Sequence, residues 1–333
     1  RAWFLSAQLA GFGAAPMRSG RYALGDVPLS CGHTIPDAQI SYGVVGKLNA
    51  DRSNLILVPT SYGARHPDLA WLVGPVLDSD RYCIVIADMF GNGFSSSPSH
   101  GGMGLAEQGW VVSHHDNVRA QGRLLTELFG VETLALVYGW SMGGQQALQW
   151  AAQGPLPVQR ACCVCGTART ANHNRLFLLS LRQALTADRH WNGAGFDAEP
   201  IDGLRTYALI YASWAASQPF YAQIKESMEE HVEQHWLPHY RRHDPRDLIA
   251  MLDTWLAHDV ADQLPTIQAR TALVASQRDL YFTVDDMAAD AERIPGCHFE
   301  LIDSLLGHRA GNPHSSPIEQ GQLRTVVDHL LSG

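Results

Sequence analysis

Six short apolar runs rich in β-forming residues recur along the chain, separated by longer stretches of mixed polarity. They begin near Leu55, Arg81, Thr133, Gln159, Thr271 and His298. Most gaps between them are about 25 to 50 residues, a spacing that suits strand-helix-strand units. The pattern predicts an α/β fold with a mostly parallel sheet flanked by helices.

The gap between the runs at Gln159 and Thr271 is far longer than the others. Within it, four segments carry apolar residues at the spacing of an amphipathic helix, namely residues 176–186, 204–216, 226–236 and 247–258. We therefore expect a helical cap over residues 171–265. The cap would be inserted into a core formed by residues 1–170 and 266–333.

The composition is typical of a globular protein with a large core, since 46% of the 333 residues are hydrophobic. The formal net charge of −9, without a basic patch, argues against a nucleic-acid partner. No run of 18 apolar residues is present, so neither a membrane-spanning helix nor a membrane partner is expected. The apolar opening, residues 1–16, is interpreted as an extension outside the fold.

Half of the six cysteines fall in one predicted strand, where they are expected to be buried thiols: Cys162, Cys163 and Cys165. Neighbouring strand residues face opposite sides of the sheet, which argues against a shared metal ion. Six cysteines in a chain of this length do not indicate a disulfide framework, so a reducing, cytoplasmic location is predicted.

A glycine-flanked serine follows one of the predicted strands. The motif Gly139-Trp-Ser-Met-Gly143 lies between the apolar run 133–138 and the helix-forming stretch 144–150. A strand, this motif and a helix together indicate a nucleophile elbow, in which a sharp turn exposes the serine hydroxyl. Ser141 is therefore the candidate nucleophile of an acyl-transfer enzyme.

A serine nucleophile needs a histidine to accept its proton and a carboxylate to orient that histidine. Asp279 follows the predicted strand that begins at Thr271, and His308 follows the strand that begins at His298. Asp303 and His314 are the rival acid and base. Asp303 ends its own strand only five residues before His308, and His314 lies in a stretch typical of a surface loop.

Four histidines spaced by four residues are prominent in the cap: His231, His235, His239 and His243. On an uninterrupted helix they could bind a metal ion, but Pro238 would break such a helix. The zinc-protease pattern H-E-x-x-H is also absent. We interpret these histidines as solvated surface residues and expect no metal and no bound cofactor.

The chain resembles the homoserine O-acetyltransferase family of the α/β-hydrolase superfamily over residues 36 to 330. The resemblance depends on four segments, residues 42–49, 77–82, 116–121 and 140–150, with weaker matches at 187–193 and 258–260. It implies an α/β-hydrolase fold, a Ser141-His308-Asp279 triad and reaction through an acyl-serine. It further implies pairing of two chains through the cap helices.

The same resemblance implies an oxyanion hole formed by the backbone N–H groups of Met142 and Ser61. Tyr62 and Trp140 would flank that hole and limit the size of the acyl group. Ordinary aromatic packing is the alternative interpretation of these two rings.

Two departures bear on the substrate. Homoserine-acetylating members carry an aspartate after the catalytic histidine, whereas this chain has Arg309. A guanidinium cannot bind the ammonium of homoserine, but it could bind a substrate carboxylate or form a surface salt bridge. The family's H-A-L-T-G loop is replaced by Pro59-Thr-Ser-Tyr-Gly63.

These observations favour an esterase that hydrolyses a small acyl ester. A transferase that uses acyl-CoA and an acceptor other than homoserine is the alternative. A catalytically inactive binding module is a third reading, although all three triad positions are filled.

Overall fold

The computed structural model describes residues 16–332. The extension predicted over residues 1–16 therefore lies, apart from its last residue, outside the described residues. The centre of the structure is an eight-stranded sheet with the strand order β1-β2-β4-β3-β5-β6-β7-β8. The strands are β1 (Arg18–Pro28), β2 (Thr34–Val45), β3 (Leu55–Pro59), β4 (Cys83–Ala87), β5 (Leu136–Trp140), β6 (Arg160–Val164), β7 (Arg270–Ser276) and β8 (His298–Ile302).

The six predicted strands correspond to β3 through β8, and all pairings among them are parallel. The hairpin formed by β1 and β2 was not predicted, and β2 joins the sheet antiparallel to β4. Most β1 side chains are exposed or half-buried, as expected for an edge strand. Its polar sequence lacks the continuous apolar run that marked the buried strands.

Helices cover both faces of the sheet and form the insertion between β6 and β7. They are α1 (His114–Arg123), α2 (Met142–Gln153), α3 (Asn172–Thr186), α4 (Ile201–Ala215), α5 (Gln218–Tyr221), α6 (Met228–His231), α7 (Leu237–Arg241), α8 (Pro245–Leu256), α9 (Val284–Arg293) and α10 (Pro317–Leu331). Leu57 packs with residues of α1 and α2, whereas its neighbour Ile56 packs with residues of α10. The central strands are thus buried on both faces.

Helices occur at all four segments predicted for the cap, where α3 through α8 are found. A π-helical turn, Val232–Trp236, joins α6 to α7. No helix within residues 16–332 is long and apolar enough to cross a membrane.

The interpretation of the four cap histidines as solvated is wrong for His231 and His243, which are buried. Pro238 does not break the helix either, because it lies in the first turn of α7, directly after the wide π-helical turn. A wider turn moves the preceding carbonyls away from a proline ring that would otherwise meet them. His243 is buried, and its Nε2 lies near Gly63.

Candidate active site

Ser141 occupies the turn between β5 and α2. Its backbone is in a strained conformation, with φ 58° and ψ −126°. Two hydrogen bonds hold that backbone: its N–H donates to the carbonyl of Val164 at 2.9 Å, and its own carbonyl accepts from Gln145 N at 2.9 Å. A non-glycine residue keeps such a conformation only where its surroundings enforce it, which is a common feature of functional sites.

The glycines on either side of Ser141 are required by close approach of backbone. A Cβ on Gly139 would overlap the backbone of Gly143, and a Cβ on Gly143 would lie 2.6 Å from the carbonyl oxygen of Pro59. Both contacts are with backbone atoms, which cannot move aside as the end of a flexible side chain can. The elbow predicted from the sequence motif is therefore present in the structure.

Asp279 and His308 are brought together from two loops that follow adjacent strands. The imidazole Nδ1 of His308 lies 2.7 Å from Oδ2 of Asp279. The other carboxylate oxygen, Oδ1, accepts from the backbone N–H of Tyr281 at 2.7 Å and of Phe282 at 3.1 Å. Because its partner is a carboxylate, Nδ1 carries the proton and donates it, which leaves Nε2 as an acceptor.

Aromatic rings fix the imidazole of His308 in place. The ring of Tyr281 meets it edge-on at 4.6 Å, and Trp140 lies 4.9 Å away. Trp140 also donates from Nε1 to the backbone carbonyl of His308 at 3.1 Å. His308 Nε2 is buried and has no hydrogen-bond partner among the described residues.

The rival acid and base lie elsewhere. Asp303 is largely exposed and pairs with Arg278 across the protein surface. His314 is exposed and contacts Asn312 and the ring of Trp71. Neither side chain makes a contact like the one between Asp279 and His308.

The two residues predicted to supply oxyanion donors flank the elbow. Met142 is the first residue of α2, so its N–H has no acceptor within its own helix. Ser61 lies in the loop after β3 and donates from Oγ to the carbonyl of Trp140 at 2.6 Å. This bond joins the loop that carries the second donor to the residue that precedes Ser141.

Behind the elbow lies a buried polar chain that the sequence analysis did not identify. Gln146 donates from Nε2 to the carbonyl of Thr60 at 2.9 Å and accepts from Gln121 at 2.7 Å. Trp150 donates to Gln121 at 2.8 Å. These residues lie in two of the segments that resemble the acetyltransferase family, and their role in holding the Thr60 loop explains part of that pattern.

Tyr62 extends from the loop after β3 into the cap, where it is buried. Its hydroxyl contacts the hydroxyl of Tyr207 and lies 3.0 Å from the carbonyl of Leu248. The rings of Tyr211 and Trp255 are 5.9 and 6.0 Å from its ring. Of the two interpretations of Tyr62, these contacts support aromatic packing between core and cap.

Arg309 follows His308 and is half-buried beneath the cap. Its guanidinium lies 5.8 Å from the ring centre of Trp236. Burial lowers the pKa of Arg309, while the tyrosines around it, including Tyr211 and Tyr240, act in the opposite direction. A cation among aromatic rings beside the candidate base remains a candidate for substrate binding.

The prediction that Cys162, Cys163 and Cys165 are buried is confirmed. Cys165 lies close to Asp279 and His308, with one donor atom from each residue within 4.8 Å of the others. Burial raises the pKa of the Cys165 thiol well above its ordinary value, and the charge of Asp279 adds to this effect. Cys165 is therefore a neutral thiol beside the candidate acid.

The chain is similar to known proteins over most of its length. The sequence profile of the α/β hydrolase fold family matches residues 54–310. The chain is 35% identical to an ethyl acetate hydrolase from Pseudomonas veronii, over 86% of this chain and 87% of that protein. It superposes on the acetyl esterase MekB with a TM-score of 0.89 at 33% identity, over 96% of this chain and 98% of that one.

A homoserine O-acetyltransferase from Chlorobium chlorochromatii is 27% identical to the chain, over 84% of this chain and 87% of that protein. The similarity to homoserine O-acetyltransferases expected from the sequence is thus confirmed. The two relatives with ester-hydrolysing names are more similar to the chain than this acetyltransferase is. That order agrees with the departure at Arg309.

Proposed function

The chain belongs to the α/β hydrolase fold family, and from this premise we propose that it hydrolyses small acetyl-type esters through an acyl-enzyme on Ser141. His308 is the general base and Asp279 the carboxylate that orients it. Met142 and Ser61 supply the oxyanion donors.

In the first half-reaction, Ser141 Oγ attacks the carbonyl carbon of the ester and its proton passes to His308 Nε2. The imidazolium that forms is stabilised by Asp279, which accepts its Nδ1–H. The carbonyl oxygen becomes an oxyanion that accepts from the N–H groups of Met142 and Ser61, each worth about 2.7 to 4 kcal/mol in the transition state. The C–O bond then breaks, and the leaving alkoxide takes the proton from His308.

In the second half-reaction, water gives a proton to His308 Nε2 and attacks the acyl carbon. The second tetrahedral intermediate breaks its bond to Ser141 Oγ, which recovers the proton from His308. The products are an alcohol and a carboxylic acid.

This proposal depends on the hydrogen bonding of the two ring nitrogens of His308. Its Nδ1 is committed to Asp279, while its buried Nε2 has no partner within residues 16–332. A buried acceptor left without a partner is costly in a purely structural residue. A hydroxyl proton from the neighbouring elbow is the partner that acyl transfer requires.

A small acyl group is supported by the relatives and by the packing around the elbow. The two relatives described above are named for ethyl acetate and for acetyl esters. Trp140 packs against His308, and Tyr62 fills the space between the loop after β3 and the cap. We propose that these rings limit the size of the acyl group.

Acyl-enzyme lifetime distinguishes hydrolysis from transfer. The protein is mixed with p-nitrophenyl acetate or acetyl-CoA, and the acetylated protein is followed by intact mass and peptide mapping. For a hydrolase, we expect acetyl-Ser141 to form from the ester and to decay in water at the rate of turnover. If decay is slow in water and an added alcohol accelerates it, the chain is a transferase, because an oriented acceptor gains about 7 to 11 kcal/mol from proximity.

The control is Ser141→Ala, which keeps the elbow and removes the nucleophile. It should show neither the adduct nor turnover. An adduct on another residue, or undiminished hydrolysis by Ser141→Ala, would contradict the proposal. Failure of a fluorophosphonate to label Ser141 would instead favour a binding module.

We further propose that Arg309 binds a carboxylate on the preferred ester. The matched substrates are an acetate ester whose alcohol part carries a carboxylate and the neutral acetate ester of the same length. Arg309→Ala should lower kcat/KM for the acidic ester and spare the neutral one. Equal effects on both esters would remove this role.

Pairing of two chains through the cap also remains a proposal. Apolar side chains exposed on α3 and α4 support it: Leu176, Leu179 and Leu209. Light scattering should report a dimer that Leu176→Glu converts to a monomer, and a monomeric parent protein would refute it.

A further inference from the structure

A cluster of one carboxylate and two imidazoles lies in the cap, outside the candidate active site. Glu226 precedes α6, His231 ends that helix, and His235 lies in the π-helical turn that follows. Oε1 of Glu226 is 2.9 Å from Nδ1 of His231 and 3.8 Å from Nε2 of His235. The imidazole rings are 4.9 Å apart.

Within residues 16–332, only two groups of three His, Cys, Asp or Glu side chains bring their donor atoms within 4.8 Å of one another. One is Cys165 with Asp279 and His308, of which the proposed reaction uses the last two. The other is Glu226 with His231 and His235, for which ester hydrolysis has no use.

We propose that Glu226, His231 and His235 bind a divalent transition metal ion of the zinc type. Zinc bonds of about 2.0 to 2.2 Å in tetrahedral geometry place the ligand atoms about 3.4 Å apart. The distances from the Glu226 carboxylate, 2.9 and 3.8 Å, lie on either side of that value. Two imidazoles and one carboxylate suit zinc, and water would complete the shell.

The cluster is partly preorganised and partly accessible. His231 has a side chain only 7% exposed, and the ring of Tyr221 packs edge-on against it at 6.2 Å. Glu226 and His235 are 34% and 33% exposed, which gives an ion a route from solvent. The π-helical turn supports the assignment, since such turns often occur at functional sites.

The bound ion has a structural consequence for the cap. It joins the loop at Glu226 to the turn that ends at Trp236, whose ring lies 5.8 Å from the Arg309 guanidinium. Binding to the folded state alone raises the midpoint of thermal unfolding. The site is therefore expected to stabilise the part of the cap that lies over Arg309.

The test uses the full chain, freed of metal by a chelator, and Co²⁺ as the probe. We expect one equivalent to bind with the visible absorption of a tetrahedral centre, and Zn²⁺ to displace it. Glu226→Gln and His235→Ala should each weaken binding by about 10-fold or more. Zn²⁺ at about 100 times its Kd should raise the unfolding midpoint by about 4 °C in the parent protein and not in His235→Ala.

The matched control is His298→Ala, which removes a histidine that lies 3.4 Å from Glu300 and whose ring is 5.2 Å from that of His329. This variant should bind Co²⁺ as the parent does. Retained circular dichroism and ester hydrolysis in His235→Ala show that it is folded. Binding that is absent in the parent, or unchanged in both cluster variants, would overturn the proposal.

Discussion

The elbow and the cap are held by different kinds of interaction. Around Ser141, backbone packs closely against backbone. Gly139 lies against the backbone of Gly143, and Gly143 lies against the carbonyl of Pro59. In the cap, side chains pack against side chains; for example, the hydroxyl of Tyr62 contacts the hydroxyl of Tyr207. A site fixed by backbone tolerates almost no substitution, whereas a surface of packed rings can change shape. On the proposed mechanism, the reacting atoms lie in the rigid region, and the residues proposed to select the substrate lie in the adaptable one.

The largest expected effect lies in the rigid region. Asp279→Asn should lower kcat for ester hydrolysis about 10⁴-fold, because the amide no longer holds His308 with its proton on Nδ1. Asp303→Asn is the matched control, since it alters an exposed carboxylate that follows β8, the third strand from β5 in the sheet. Steady-state kinetics on p-nitrophenyl acetate measure both. Equal losses in the two variants would show that Asp279 has no special role.

A second test concerns the backbone contacts themselves. Gly139→Ala should lower the free energy of unfolding by at least about 3 kcal/mol, because its Cβ overlaps the backbone of Gly143. Gly321→Ala is the control, since Gly321 lies in α10 with open space around it. It should be neutral or stabilise the protein by up to about 1 kcal/mol. Urea unfolding distinguishes the two, and a mild Gly139→Ala would contradict the rigid elbow.

The junction between core and cap should respond to pH. Burial lowers the pKa of His114 to about 4, and the ring of His258, at the end of the cap, lies 4.9 Å away. In the unfolded chain that pKa is about 6.5, so between these values the unfolded state binds more protons. The contribution of the neutral His114 to the free energy of unfolding is therefore fully present above about pH 6.5. It is lost as the pH falls toward 4.

This loss amounts to about 2 kcal/mol between pH 7.5 and 5. The variant His114→Leu removes the titration, so its free energy of unfolding should fall less than that of the parent over this range. Burial raises the pKa of Asp247 and of Asp253 to about 6, which opposes the effect. Both carboxyls are present in the two proteins, and so is the buried His258, whose pKa is also lowered by burial. The difference in pH dependence between the two proteins therefore reports the removal of the His114 imidazole. Identical slopes would contradict the burial of a neutral imidazole.

The smallest expected effect lies in the cap. Tyr62→Phe removes a hydroxyl that contacts Tyr207 and the carbonyl of Leu248, and should cost about 1 to 2 kcal/mol of unfolding free energy. Trp71→Phe is the comparison, since Trp71 donates to the side chain of Asn312 at 2.7 Å in a half-buried position. It should cost less. A greater loss in Trp71→Phe would argue against Tyr62 as a link between core and cap.

The six buried parallel strands could be predicted because each is a short apolar run, and a strand buried on both faces has that pattern. The elbow could be predicted because close backbone approach demands glycine at two fixed positions around Ser141. Asp279 and His308 followed from the rule that functional residues lie just beyond strand ends. Their mutual contact supports that assignment.

Other features depend on contacts between distant segments and left no local signal. The edge hairpin of β1 and β2 has few buried side chains, so no apolar run marks it. The burial of His231 and His243 depends on how the cap helices pack, which the spacing of the histidines along the chain does not show. The chain of hydrogen bonds through Gln121 and Gln146 joins two helices, and the two segments that resemble the acetyltransferase family do not show that these glutamines pair.

Burial of the candidate nucleophile and base has a consequence for turnover. Ser141 is only 2% exposed and His308 only 3%. On the proposed mechanism, we expect that residues over Ser141 must move before an ester can reach its hydroxyl. Across a series of acetates with increasingly better leaving groups, kcat should rise and then reach a plateau. At that plateau, the rate of this motion limits turnover, and the strength of the ester C–O bond does not.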